Sequence, residues 1–377
     1  MANGKVAAGL TIGVAEMTNR RAFLGLSALE LGSLTLPITG LSAAPTKPLD
    51  VLVLGGTGFI GPHQVEALLA RGHKVTLFNR GRKADLFAGR AETLVGNRDD
   101  QVDDGLNPLK SGRRWDVVLD NSGYVPRHVK DSVELLAERC DRYVYISTVA
   151  VYDYGEGDGD RNLHRDSPLL RDIPDTEEVT GETYGPLKAA CDTLVTDILG
   201  DKSTVVRPTY IVGPGDHTDR FTYWVDRIRR GGDVLAPAGA DLEAQWIDVR
   251  DLTAFVVRLI ERGTPGAFNG AGPSSRFTNE SLMWSLAAMT PEPVRFHWPT
   301  AELLEQLKLP LPMMAGRQWS RHVDATPAKK AGLEFRALAD TARDLQAWWL
   351  AQPEERRATP RRWPTLEQEA EAIRLIA

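Results

Sequence analysis

The chain has 377 residues, 42% of them hydrophobic and 25% charged, which is the composition of a folded chain with a sizeable core and excludes fibrous and disordered classes. Its 51 acidic side chains against 45 basic ones give a net charge of −6, so there is no general attraction to nucleic acid or to an anionic membrane surface. Two cysteines, Cys140 and Cys191, exclude a disulfide framework and a cysteine-rich zinc site; His63, His73 and His128 lack metal-ligand spacing, so no metal is expected.

Thr18-Asn19-Arg20-Arg21-Ala22-Phe23-Leu24 precedes a mostly apolar stretch to Leu41, followed by Ser42-Ala43-Ala44 and Pro45. This order resembles a twin-arginine export signal, the alternative being an amphipathic or membrane-anchoring helix; Glu30, Pro37 and Gly40 argue against a stable membrane span. A periplasmic or secreted protein is therefore expected, or a cytoplasmic one if the signal is unused.

The first strand should run over the apolar Val51 to Leu54, and Gly55, Gly58 and Gly61 stand immediately after it at GxxGxxG spacing. The first glycine permits a tight turn, the second lets backbone approach a pyrophosphate, and the third lets a helix pack close to the strand. That helix is expected over Pro62 to Arg71, a second strand over Lys74 to Phe78, a third over Glu92 to Val95 and a fourth over Trp115 to Asp120. A helix should follow from about Arg127 to Cys140, then a strand from Arg142 to Ile146 that runs into Ser147-Thr148. Polar residues 153–183 read as loop over a site mouth, Thr183 onward as a helix to Leu199, and Ser203 to Val206 as a sixth strand.

Beyond that, Phe221 to Arg230 and Leu252 to Arg262 read as helices and Gln245 to Val249 as a strand. Helices with short links are expected from Thr278, and a charged extension from Glu354. Alternating strands and helices imply an α/β fold with a doubly wound parallel sheet and a smaller substrate-facing lobe. The expected division is a leader over 1–44, a dinucleotide-binding domain over 45–212 with 244–270 returning to it, a substrate lobe over 213–243 and 271–350, and a helical extension over 351–377.

Four motifs in order, Gly55-Gly56-Thr57-Gly58-Phe59-Ile60-Gly61, Tyr145-Ile146-Ser147-Thr148 through Tyr152, the YxxxK of Tyr184 to Lys188, and Arg207-Pro208 with Ile247-Asp248-Val249-Arg250-Asp251, carry a family resemblance. The chain resembles an extended short-chain dehydrogenase/reductase of the NAD-dependent epimerase/dehydratase type over about residues 49–350. The resemblance implies a Rossmann-type fold and a nicotinamide cofactor held by Gly55, Thr57, Gly58, Phe59, Ile60, Gly61, Asn79, Arg80, Asn97, Ser122, Tyr184, Lys188 and Pro208. It further implies Thr148, Tyr184 and Lys188 as the catalytic set, with Thr148 orienting a substrate hydroxyl and Lys188 also holding ribose.

Tyr184 and Lys188 stand one helical turn apart, on one face. A free phenol has a pKa of about 10, so a nearby ammonium should favour its ionised form as a base. The second strand ends without the acid that would accept from a ribose 2′-hydroxyl; Asn79, Arg80, Arg82 and Lys83 suit a 2′-phosphate, so NADP is favoured over NAD. Asn97 stands where many relatives carry aspartate, which alters the adenine contact. Asp216, His217, Asp219 and Arg220 are open to two readings, substrate contact or solvated loop.

The expected reaction is oxidation and re-reduction of a secondary alcohol on a sugar-like small molecule, with an NADPH-dependent carbonyl reductase as the alternative. Some relatives are RNA-associated proteins of chloroplasts, and Phe78-Asn79-Arg80-Gly81 resembles them too; a nucleic-acid partner is not expected on charge grounds. A cofactor-holding NADP sensor without turnover is the remaining alternative, and a homodimer is compatible with the sequence.

Overall fold

The structure is a computed structural model that describes residues 47–377 apart from 156–161, 310, 314–320, 362 and 377. The stretch expected to be an export signal lies outside the described residues, and among those described no helix is long and apolar enough to cross a membrane.

The first half of the chain alternates β1 (Asp50–Leu54), α1 (Ile60–Ala70), β2 (Lys74–Asn79), β3 (Glu92–Val95), β4 (Trp115–Asp120), α2 (Pro126–Leu136), β5 (Cys140–Ile146), α3 (Tyr184–Leu199) and β6 (Ser203–Pro208). Short β7 (Tyr210–Val212) follows, then α4 (Arg220–Arg229), β8 (Gly232–Leu235), β9 (Trp246–Asp248), α5 (Val249–Arg262) and β10 (Gly266–Gly270). The remainder holds α6 (Asn279–Ala287), β11 (Val294–His297), α7 (Ala301–Leu307), α8 (Thr326–Lys330), α9 (Leu338–Leu350), α10 (Glu354–Ala358) and α11 (Leu366–Ile376).

Seven parallel strands form the central sheet in the order β10-β6-β5-β4-β1-β2-β3, the doubly wound, Rossmann-like arrangement. Residues Val51 to Leu54 are wholly buried because β1 is covered on both faces. Val51 and Val53 pack with Val65 and Leu68 of α1 and Phe255 of α5. Leu52 and Leu54 pack with Val129 and Val133 of α2 and Cys191 and Val195 of α3. A second core gathers Trp224, Tyr223, Leu282, Met283, Leu345 and Ala372 from α4, α6, α9 and α11. The strand order reverses between β1 and β4, and that point at the carboxyl edge is where a ligand crevice opens.

Several element bounds shift by one to three residues, the short strands β7, β8 and β11 were not expected, and the larger local differences have identifiable causes. The helix expected up to Cys140 ends at Leu136, because Trp115 and Cys140 pair in register and the Trp115 N–H donates to Arg139 O (2.9 Å), drawing the chain into β5. The helix expected from Leu252 begins at Val249: Asp248 Oδ1 accepts from the Arg250 N–H (2.8 Å), an N-cap inside what reads as a strand. The seventh strand, β10, went unread because Gly266-Ala267-Phe268-Asn269-Gly270 has no apolar run and takes its order from pairing with β6.

Candidate active site

The turn after β1 requires glycine at two of its three motif positions and leaves the third open to a cleft. Gly55 has φ +85°, and a Cβ there would fall 2.7 Å from Ser122 Cβ, so β4's exit can approach β1 only past a bare backbone. A Cβ on Gly61 would fall 2.5 Å from the carbonyl carbon of Gly56, which sets how closely α1 leaves the turn. A Cβ on Gly58 would meet nothing within 4 Å. Gly58 instead borders a cleft of about 1270 Å³.

Of the residues expected at the site, Gly55, Gly58, Phe59, Ile60, Thr148, Tyr184, Lys188 and Pro208 line this one cleft. Thr57, Gly61, Asn79, Arg80, Asn97 and Ser122 do not form its wall. The Thr57 carbonyl accepts from Lys83 Nζ (3.2 Å), so one basic residue of the β2 exit reaches back over the glycine turn. Asn79 Oδ1 accepts from the Gly81 N–H (2.8 Å), while its Nδ2 is buried without a partner among the described residues. Arg80 is exposed. Asn97 closes its own turn, Oδ1 accepting from the Asp99 N–H (3.1 Å).

Tyr184 opens α3, and Gly185 explains how it reaches the strand ends: a Cβ there would lie 2.7 Å from the Ala150 carbonyl. This close approach seats the first turn of α3 on the Val149–Val151 turn, next to Thr148. The Thr148 hydroxyl accepts from the Ala150 N–H (3.2 Å) and interacts with the Tyr184 phenol. Burial raises the Tyr184 pKa above that of a free phenol, opposed by Thr148 and by the charge of Arg220. The positive end of the α3 dipole acts in the same direction as those two.

Lys188 stands one turn beyond Tyr184 on α3. Its ammonium is drawn inward and donates to Gly123 O (2.7 Å), the Tyr145 hydroxyl (2.6 Å) and Ile146 O (2.8 Å), which accounts for all three protons. Tyr145 in turn donates to the same Gly123 carbonyl (2.7 Å). Burial lowers Lys188 to about 8, although Cys191, Asp120 and Asp192 oppose the shift. The lysine thus ties the exits of β4 and β5 to α3.

Two buried ion-pair networks behind the cleft were not read from the sequence. Arg98, the neighbour of Asn97, grips Asp120 at 2.8 and 2.6 Å and bonds Ser122 Oγ (3.1 Å). Burial would raise Asp120, but Arg98 and the Tyr143 hydroxyl (2.7 Å) hold its carboxyl below the ordinary range. Arg207 binds both oxygens of Asp192 (2.9 and 3.0 Å) and the Tyr152 hydroxyl (3.0 Å), and Ser147 Oγ donates to Asp192 Oδ2 (2.8 Å). The available signal was the spacing of Lys188 and Asp192, four apart on one helical face, an acid aimed into the core.

On the opposite wall, His217, Thr218 and Arg220 line the cleft with Tyr210. Asp216 and Asp219 do not form a solvated loop; both are fully buried. Asp216 Oδ1 accepts from the Thr218 hydroxyl (2.5 Å) and N–H (2.8 Å). Asp219, at φ +58°, takes Arg356 Nη2 (2.5 Å) and the Arg361 N–H (2.9 Å) on its carboxylate, and its carbonyl accepts from Trp363 Nε1 (2.9 Å).

Residues 51–271 match the sequence model of the NAD dependent epimerase/dehydratase family. Over 281 residues the chain is 26% identical to the chloroplast stem-loop binding protein of 41 kDa b of Arabidopsis thaliana, covering 70% of this chain and 69% of that protein. It is 26% identical over 275 residues to the epimerase family protein SDR39U1 of Bos taurus, covering 67% of this chain and 84% of that protein. Among solved structures, the UDP-glucuronic acid 4-epimerase of Bacillus cereus in complex with NAD superposes with a TM-score of 0.58 at 15% identity, covering 79% of this chain and 96% of the other.

Proposed function

From a chain that belongs to the NAD dependent epimerase/dehydratase family, we propose an enzyme that oxidises and re-reduces a secondary alcohol of a sugar-like substrate around a retained nicotinamide dinucleotide. The observation that carries this reading is that the open face of Gly58 and the Thr148–Tyr184 pair border one continuous cleft. Its volume of about 1270 Å³ exceeds the roughly 300–1,000 Å³ of a single small-ligand pocket, as a site for both a dinucleotide and a substrate must.

The residues present fit the cofactor. Gly58 leaves the approach to the turn free, and the unpartnered Asn79 Nδ2 and Asn121 Oδ1 sit at the exits of β2 and β4. Gly55 to Gly61 would hold the pyrophosphate and Asn79 the ribose, with Arg80, Arg82 and Lys83 favouring a 2′-phosphate. When bound, the dinucleotide supplies hydride acceptance and return. Tyr184, as phenolate, takes the proton of the substrate hydroxyl, and Thr148 orients that hydroxyl. Lys188 fixes the Gly123 and Ile146 carbonyls that frame the floor.

Return of hydride to the same face restores the substrate, and return to the opposite face gives the epimer. A retained cofactor would let the cycle run in an exported protein, where free dinucleotide to exchange with is not expected. The name of the Arabidopsis thaliana relative raises stem-loop binding, but the net charge of −6 offers a polyanion no general attraction.

The test is to purify the protein from periplasm and cytoplasm, denature it and identify the released dinucleotide. Stoichiometric cofactor in the exported form supports the closed cycle; empty exported protein, or turnover that strictly follows added NADPH, overturns it. Tyr184→Phe should keep the cofactor and abolish turnover.

A further inference from the structure

We infer that residues 171–183 form a strap fastened beside the cleft by Arg127, and that the Arg127–Glu177–Asp99 ion-pair cluster sets how fast a dinucleotide enters and leaves. The inference rests on the proposed function only for the presence of a dinucleotide in the cleft.

Three observations carry it. The first is the path of the chain. Leu170 lines the cleft and is anchored there, its N–H donating to Val151 O (2.9 Å) just past the exit of β5. The chain returns to the cleft wall at Gly181, Glu182 and Tyr184. Between these points Glu177 is bound to Arg127 in the first turn of α2, three residues past the cleft-lining Tyr124 at the exit of β4. The segment is thus drawn from the β5 side of the cleft toward the β4 side.

The second observation is how little else holds the segment. Residues 171–182 are exposed apart from the half-buried Pro174. Even Ile173 and Val179 are 39% and 43% exposed, so apolar burial contributes little to its position. Among the described residues, its other hydrogen bonds stay within 174–184, as where Thr183 Oγ1 donates to Glu178 O (2.6 Å) and the Tyr184 N–H to Thr180 O (3.1 Å). A segment with few buried contacts opens locally at small cost, so release of Glu177 frees everything between Leu170 and Tyr184.

The third observation is that the fastening is prepared from the other side. Arg127 Nε and Nη2 donate to the two oxygens of Glu177 (2.7 and 2.8 Å), and Nη1 donates to Asp99 Oδ1 (2.9 Å). Asp99 follows Arg98, itself fixed on Asp120, so the guanidinium is steadied from the exit of β3. Arg127 holds Asp99 down to about 2 and Glu177 below the ordinary carboxylate range, so both acids stay ionised. The two-pronged geometry makes the tie specific, and its exposure keeps it weak. A specific, weak tie keeps a strap closed and still releases it, which passage through one mouth requires.

The test is to load the full-length protein with NADPH or NADH, chase with excess oxidised dinucleotide, and follow the loss of bound-cofactor fluorescence at low and high salt. Glu177→Gln and Arg127→Gln should each speed release about 2- to 10-fold, the range of one or two exposed ion pairs. Arg127→Lys, which keeps the charge without the fork, should lie between. Opening precedes both entry and exit, so the rate of binding should rise in proportion and the dissociation constant should stay that of the parent. Added salt should speed release from the parent more than from the two glutamine variants. Release at the parent's rate in both glutamine variants overturns the inference. So does a changed dissociation constant with an unchanged rate of entry, which would make these residues mere ligand contacts. A protein that binds neither dinucleotide defeats the proposed function as well, whereas unchanged release of a bound dinucleotide defeats the strap alone.

Discussion

Gly58 and Gly61 lie three residues apart in one turn, and the structure assigns them opposite consequences on gaining a methyl group. At Gly61 the new Cβ would sit 2.5, 2.7 and 2.8 Å from the carbonyl carbon, oxygen and Cα of Gly56. All three are backbone atoms, so no side chain can swing away and α1 must lift from the turn. Overpacking of this kind costs about 1–3 kcal/mol. At Gly58 nothing lies within 4 Å and φ is outside the left-handed region, so Gly58→Ala should leave stability within about 0.5 kcal/mol. The same methyl would stand in the cleft where a pyrophosphate must approach; applying the overpacking cost to the bound state gives roughly 5- to 150-fold weaker dinucleotide binding. Urea unfolding and fluorescence titration with NADPH and NADH measure the two effects separately. Gly58→Ala protein that binds both dinucleotides as the parent does, or Gly61→Ala protein as stable as the parent, refutes the assignment.

Lys188 makes stability pH-dependent in a defined direction. Burial lowers it to about 8 from 10.5, so between those values the unfolded chain holds a proton that the fold lacks and the Lys188 contribution rises with pH, flat below 8. Lys188→Met should remove that rise, read as the difference in urea midpoint between the ends of the window. Asp120→Ala leaves Arg98 buried without its charge partner and should cost about 3–5 kcal/mol in chemical unfolding. Glu369 accepts from Arg227 Nε (2.7 Å) and the Leu235 N–H (2.9 Å), so Glu369→Ala should cost about 3 kcal/mol and expose the C-terminal segment to limited proteolysis.

The sequence disclosed what is encoded locally. Strands β3 and β4 are read to the residue, because an uninterrupted run between turn residues has one simple interpretation. The glycine turn was legible for a similar reason: spacing alone states which backbone must be bare. Elements whose cause is a distant partner were not legible. β10 exists because β6 offers it an edge, and Arg98 points inward because Asp120 has no other partner for its charge. Lys188 is the instructive case. Its position relative to Tyr184 was correct, yet the direction of its ammonium depends on Gly123, Tyr145 and Ile146, which come from two other strand exits.

This redistribution of positive charge changes how the phenol must be made basic. A lysine that donated to Tyr184 would lower its pKa in the empty protein. Here burial raises it, and the groups working against burial are the Thr148 hydroxyl and Arg220. The cost of burial is offset when the positive charge of an oxidised nicotinamide stands beside the phenol, since opposite charge within a few ångströms favours the ionised form. The arrangement therefore favours ordered use of the cleft, cofactor before substrate. A protein that retains its dinucleotide would then need no free cofactor to prepare Tyr184.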